Sequence, residues 1–487
     1  STPKPSSAAS DVYKRQVYDT AGTFVEKFYR QGRDMLLNPL DQRTAHWSPW
    51  VDVPRDYHYD QIAESTIPDK HGDPFWAKAA RGTLVAVMRK LARQKHTYVS
   101  VLLDRLLRSK LKDLATFVTG TDAAAFISTE GERTSAGIQA ELASVMRSFG
   151  YLDDTDDGFS IRDWVEKGEE GSWLFITVKA DQLPSLRPLI TVWLDIAISA
   201  IMSLAPDRDR RLYCVIDELP TLQKLPSLSD FLARARKYGG CGILGFQSYP
   251  QLEATYGIQD AAAITGYCST WVALRANDTA TAKHVSENLG QVEQVEANEG
   301  MSYGVNDMRD GVNLSRMQVT RPLVMPTEVI NLPNLVGFLR FGRNLPVVRF
   351  DCRFNDIPSL GEAFSERTDP PVQIDKAKAL VRIAHAESRV REAMEREAAQ
   401  TPPAPNSSEQ PPKKPLPSQQ APAPQSRQPD LFIPPLPDID PQRVEDILLS
   451  EEHAELPAPA RALSTILAGK QGEIRSDHVQ HGRDDRP

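Results

Sequence analysis

The stretch from Arg210 to Pro250 constrains the chain most tightly. Leu212-Tyr213-Cys214-Val215-Ile216 is a short apolar run with β-branched residues, and Asp217 and Glu218 follow it directly. Such a run predicts a buried parallel strand that ends in acid. A helix is predicted next, over about Leu228 to Tyr238, stopped by Gly239-Gly240. A second apolar run, Cys241 to Phe246, then ends in Gln247 and Ser248. A strand, a crossover helix and a second strand make one unit of a parallel sheet. The fold class is therefore α/β, and the acid pair sits at the carboxyl edge of the sheet, where ligands of open α/β sheets bind.

The residue types at these tips suit nucleotide hydrolysis. Asp217 is placed to hold Mg²⁺ through water, Glu218 to polarise an attacking water, and Gln247 to contact the terminal phosphate or that water. Phosphoryl transfer asks for positioning and charge neutralisation more than for covalent help. The plainer reading is a strand end with solvated acids. An amide at the adjacent strand tip weighs against it.

The segment VIDELPTLQKLPSLSDFLARARKYGGCGILGFQSYPQLEATYG resembles the Walker B to sensor region of type IV coupling proteins, the TraD-like hexameric DNA translocases of bacterial conjugation. Val17 to Asp41, Gly72 to Arg81 and Val324 to Pro346 resemble the same family in the same order. The resemblance covers about Val17 to Asn355. It implies a RecA-like P-loop ATPase core with an inserted all-α domain and a disordered C-terminal tail. It implies ATP and Mg²⁺ as cofactors, a homo-hexamer, and Arg236 as an arginine finger reaching a neighbour's nucleotide. The implied partners are single-stranded DNA with its relaxase, relaxosome proteins bound through the tail, and the type IV secretion channel. The implied location is the cytoplasmic face of a bacterial inner membrane, with a membrane anchor upstream of this chain.

The family's phosphate loop has the pattern G-x-x-x-x-G-K-[ST], whose backbone N–H groups cradle phosphates. The one Gly-Lys pair in this sequence, Gly469-Lys470, is followed by Gln471 and has no strand before it. The expectation is an N-terminally truncated coupling protein: an ATPase and DNA translocase when complete, inactive as this fragment. The alternative, from a different class, is a non-catalytic recruitment protein that docks relaxosome components through its tail.

Domain boundaries follow from composition and pattern. Residues 1–16 lack periodicity and read as a non-native or disordered leader. Residues 17–41 start the nucleotide-binding core, 42–166 form the all-α insert, and 167–358 return to the core with Walker B. Residues 372–400 predict one long charged helix. Residues 401–487 form a Pro/Gln-rich tail with short helical islands, unable to bury a core. Gln291 to Thr320 is polar and reads as a surface loop. Val336 to Phe341 and Val347 to Phe354 read as an antiparallel hairpin closing the sheet edge, and Thr270 to Leu274 as the next parallel strand.

A net charge of −8 argues against a broadly basic nucleic-acid coat. Basic runs do occur in the insert, at Arg89, Lys90, Arg93 and Lys95, and at Arg105, Arg108, Lys110 and Lys112. They read as DNA or relaxase contacts or as a solvated helix face, with equal weight. Cys214, Cys241, Cys268 and Cys352 have no metal-ligand spacing and read as reduced apolar thiols. The apolar run Leu189 to Ala205 carries Asp195 in its middle. A buried crossover helix fits it better than a membrane span.

Overall fold

The computed structural model describes residues 14–69, 74–155, 157–207, 209–302, 311–342 and 345–373. The rest of the leader, nearly all of the helix expected over 372–400 and the Pro/Gln-rich tail lie outside the described residues.

Along the chain, β1 (Lys14–Asp19) leads into α1 (Thr23–Phe28) and β2 (Met35–Leu37). Among the described residues six α-helices follow without an intervening strand: α2 (Tyr57–Thr66), α3 (Phe75–Arg93), α4 (Val99–Leu103), α5 (Leu111–Val118), α6 (Glu132–Met146) and α7 (Ile161–Lys167). The chain returns through β3 (Ser172–Thr177), α8 (Leu183–Met202), β4 (Leu212–Ile216), α9 (Leu228–Arg234) and β5 (Gly240–Leu244). Beyond β5 come α10 (Tyr249–Tyr256), α11 (Ile258–Tyr267), β6 (Trp271–Ala273) and α12 (Thr279–Leu289). Last are β7 (Gln291–Ser302), β8 (Gly311–Pro322), α13 (Pro326–Ile330), β9 (Val336–Arg340) and β10 (Val348–Asp351).

Strands β1 to β5 form one sheet in the order β2-β3-β1-β4-β5, and every pairing in it is parallel. The central strands are apolar on both faces, as helix-covered parallel strands must be: Val17, Tyr18, Leu174, Phe175, Ile176, Cys214 and Ile216 are all buried. The strand begins at Lys14, so the last three residues of the stretch read as leader, 14–16, are ordered as part of β1 and not disordered. Lys14, Arg15 and Gln16 pair with both β3 and β4.

Helix α8 settles the reading of the long apolar run. It is long and apolar enough to cross a membrane, yet 78% of that window is buried inside the protein. Asp195 is fully buried in its middle and is not left bare. It accepts from Ser65 Oγ at 2.7 Å and from the Ser227 N–H at 2.9 Å. A buried carboxylate is tolerated only with such donors. Trp193 of α8 meets Trp47 edge-on at 5.9 Å, and the Trp47 indole donates to Asp52 Oδ2 at 2.7 Å. The insert and the sheet therefore share one apolar core.

Three expectations fail here. Strand β6 does not continue the parallel sheet. It joins β9 and β10 in a separate antiparallel sheet of order β10-β9-β6. The β9–β10 hairpin accordingly closes onto β6 and not onto the main sheet. Helices α10 and α11 lie between β5 and β6 and carry the chain away before the next strand forms. The stretch read as a surface loop is instead the β7–β8 hairpin, twelve residues on each strand. Its strands lack apolar alternation, so backbone pairing holds them without the pattern that announces a strand.

After β10 the chain runs back over the molecule. Leu360 N–H donates to Glu26 O at 2.8 Å, Gln42 N–H to Ser365 O at 2.8 Å, and Arg367 N–H to Leu40 O at 2.9 Å. Asp154 N–H donates to Val372 O at 2.8 Å, which brings the strap to the last turns of the insert.

Candidate active site at the tips of β4 and β5

The pairing of Ile216 with Leu244 sets Asp217 level with Gly245 and Glu218 level with Phe246. The two strand tips approach closely: Gly245 N–H donates to Ile216 O at 2.8 Å and Leu219 N–H to Gly245 O at 2.9 Å. A side chain cannot fit at Gly245, because a Cβ there would sit 2.1 Å from the Asp217 carbonyl oxygen. Glycine is what lets the two tips touch.

Glu218 accepts the Gln247 N–H on Oε1 at 3.3 Å. Tyr18, at the end of β1, holds the other side of the loop. Its hydroxyl meets Thr221 Oγ1 at 2.9 Å, and Thr221 Oγ1 donates to Glu218 O at 2.7 Å. Three adjacent strands thus fix the backbone around the acid pair.

The electrostatics are those of an uncompensated acid site. Partial burial pushes the Asp217 carboxyl above its ordinary range, and Asp19 adds to the effect. Partial burial also pushes Glu218 up, against the bonds from Gln247, with a further upward push from Asp217. Asp217 as a residue opens to solvent, which screens the effect on its carboxyl. Among the described residues neither acid has a basic partner. Asp19 itself is spent on the backbone: Oδ1 accepts the Gly22 N–H at 2.9 Å and Oδ2 the Phe24 N–H at 2.7 Å, capping the turn into α1.

Two open carboxylates without a cation fit a divalent ion. Among the described residues no group of three or more His, Cys, Asp or Glu side chains forms a metal cage.

The family profile for the type IV secretion-system coupling protein DNA-binding domain matches residues 13–353. The chain belongs to the type IV coupling proteins. It is 32% identical over 380 residues to the coupling protein TraD of Escherichia coli strain K12, a match spanning 77% of this chain and 53% of TraD. The chain thus spans about half the length of that curated relative. Among solved structures it is similar to the bacterial conjugative coupling protein TrwBdeltaN70, with a TM-score of 0.66 and 31% identity, covering 73% of this chain and 81% of that one. It is also similar to plasmid coupling protein TrwB in complex with ADP and Mg²⁺, with a TM-score of 0.64 and 31% identity, covering 73% of this chain and 82% of that one. The core of this coupling protein is accordingly the RecA-like α/β fold of a P-loop ATPase, as its sequence implies.

The structure brings Asp217, Glu218 and Gln247 together and leaves Arg236 apart from them. Arg236 lies exposed in the 3-10 turn Ala235–Tyr238 that extends α9, while Arg234 is paired with Asp230. Several insert cations are engaged within the chain. Arg89 pairs with Asp56 and Asp60 at 2.8 Å, Lys90 donates to Phe117 O at 2.6 Å, and Arg108 pairs with Asp104 at 2.5 Å. Arg93, Lys95, Lys110 and Lys112 remain exposed.

Tyr18, Asp19, Thr221 and Gly245 complete the site without having been singled out from sequence. Val17-Tyr18-Asp19 does read as a strand end, but its adjacency to β4 is a matter of strand order, which one sequence does not spell out.

Proposed function

We propose that this chain is the motor portion of a conjugative coupling protein, in which ATP hydrolysis drives single-stranded DNA and its attached relaxase toward a type IV secretion channel. One observation carries the reading: an acid pair without a cation partner, held at the tips of adjacent parallel strands beside Gln247. Asp217 holds Mg²⁺ through water. Glu218 orients the attacking water and takes its proton, a role that its raised carboxyl pKa suits. Gln247 contacts the terminal phosphate or that water. Bound Mg²⁺ supplies charge neutralisation on the phosphates. Arg236 serves the nucleotide of the adjacent subunit, so the working form is a homo-hexamer.

The phosphate loop comes from upstream of the residues that carry the family match. The outer edge of β5 gives it a place to enter, since Gly242 there is exposed where a parallel strand is ordinarily covered. The strap reaches the insert at Val372, and we assign the tail to relaxosome proteins. The complete protein sits at the cytoplasmic face of the inner membrane on an upstream anchor.

Complementation tests the reading. In a donor strain lacking its coupling protein, the wild-type full-length protein restores plasmid transfer. Glu218→Gln leaves transfer lower by orders of magnitude while relaxosome proteins still co-purify. Transfer at the wild-type level with Glu218→Gln favours the non-catalytic recruitment role instead.

A further inference from the structure

Among the described residues, the hydrogen bonds that tie the β7–β8 hairpin to the rest of the chain lie at its base. Leu323 N–H donates to Gly290 O at 3.0 Å, and Ser286 Oγ donates to Val324 O at 2.6 Å. From there the ladder runs from Gln291 opposite Pro322 to Ser302 opposite Gly311. Twelve residues make a ribbon about 40 Å long. Its faces are open. Val295 is 63% exposed and Met317 55% exposed. Val295 stands opposite Gln318 and Met317 opposite Glu296, so the two apolar side chains lie on opposite faces. Among the described residues no third strand pairs with either outer edge. A two-stranded ribbon with both faces wet is marginal in water, and free edges are templates for another strand.

The two strands carry opposite charge. β7 (QVEQVEANEGMS) holds Glu293, Glu296 and Glu299 and no base. β8 (GVNLSRMQVTRP) holds Arg316 and Arg321 and no acid. Glu296 and Arg321 pair within the hairpin, while Glu293 and Arg316 are exposed. Contact between two β7 strands, or between two β8 strands, sets like charges together. Contact between β7 of one copy and β8 of another sets opposite charges together. Three acids against two bases make the ribbon a poor match for phosphates, which disfavours DNA as its occupant.

We propose that the hairpin is an inter-subunit arm whose β7 strand lies along the β8 strand of the next copy of this chain. Such a contact is head-to-tail, the kind that closes into a ring. The inference rests on the homo-hexamer reading and names the surface that builds it.

The test uses two charge-reversed variants of the whole chain, Glu293→Lys with Glu296→Lys, and Arg316→Glu with Arg321→Glu. Self-association is followed by sedimentation velocity with a single-stranded oligonucleotide present, and folding by circular dichroism. Each variant alone sets like charges against each other and associates at least about tenfold more weakly than wild type. An equimolar mixture restores association, because the lysine-bearing β7 of one variant meets the glutamate-bearing β8 of the other. No effect confined to one hairpin yields rescue on mixing. Folded variants that associate like wild type, or a mixture that stays dissociated, overturn the arm while leaving the ring intact. Variants that keep association but lose the oligonucleotide assign the hairpin to DNA and overturn the arm. A wild-type chain that never associates removes the ring reading itself.

Discussion

Arg367 sets its two terminal nitrogens on the two carboxylate oxygens of Asp153, at 2.8 and 2.7 Å, across 214 residues of sequence. The pair ties the strap that follows β10 to the end of the helical insert. His46 Nδ1 lies 2.7 Å from the same carboxylate, and the Val372 N–H donates to it at 2.6 Å. A fork-to-fork pair with further donors is the strong form of an ion pair.

Asp153→Ala strips Arg367 of its partner in a nearly enclosed place. The expected loss is about 3 kcal/mol of stability, read by denaturant unfolding. Asp153→Asn, which keeps part of the bonding, loses less.

The same carboxyl sets a pH dependence. Burial pushes it up, but Arg367, the Val372 N–H and His46 together hold it below its ordinary range. A carboxylate held low contributes stability above its unfolded pKa and loses it as pH falls through the folded value. Hydrogen-exchange protection of the Gln42 and Asp154 amides, which bond to the strap, therefore drops below about pH 4 and holds from there to neutrality.

Asp217 and Glu218 have the opposite sign. Both carboxyls are held above their ordinary range. Their charges cost stability in full above the folded pKa, and the cost fades as pH falls from there to the unfolded value. Asp217→Asn combined with Glu218→Gln raises the thermal midpoint at pH 7 by roughly 2 °C, small because the site opens to solvent. The gain shrinks toward pH 4. A lower midpoint at pH 7 contradicts the uncompensated acid site.

Gly245→Ala forces a methyl group against the Asp217 carbonyl and spreads the β4 and β5 tips. Overpacking of this kind costs about 1–3 kcal/mol. A displacement near 1 Å in a catalytic constellation costs on the order of a hundredfold in rate. The variant is expected to stay folded and to lose turnover far more than nucleotide affinity, measured by steady-state hydrolysis and nucleotide titration of the complete protein.

The arginine finger predicts complementation between inactive subunits. Arg236→Ala and Glu218→Gln proteins are each inactive alone. A mixed ring contains sites formed by an intact Glu218 and a neighbour's intact Arg236. Mixing the two therefore recovers measurable hydrolysis. Recovery fails if Arg236 serves its own subunit's nucleotide.

The core unit was legible because its signals are local. Leu212 to Ile216 and Cys241 to Phe246 are apolar runs with chemistry at their ends, and Gly239 stops the helix between them at a φ of 82°. The reading of α8 as a core helix also followed from local content, Asp195 in an apolar run. What was not legible depends on partners distant in sequence. Strand β6 has the composition of a parallel core strand, and only its pairing with β9 sets it elsewhere. The strap is held largely by backbone bonds and by Asp153, which lies far away in sequence. The β7–β8 hairpin has a polar composition without the apolar alternation that announces a strand. At the candidate site, Asp217, Glu218 and Gln247 follow directly on apolar strands, so a local pattern marks their place. Tyr18 and Thr221 act through strand order, and Gly245 acts through contact across the sheet.

The most direct test of the motor reading is single-stranded DNA-stimulated ATP hydrolysis by this chain extended upstream through its phosphate loop, with Glu218→Gln beside it. The prediction is hydrolysis that DNA stimulates and that Glu218→Gln lowers on the order of a thousandfold, with ATP still bound. Hydrolysis indifferent to Glu218→Gln contradicts the account, as does an extended protein that binds relaxosome components with Glu218 intact and hydrolyses nothing.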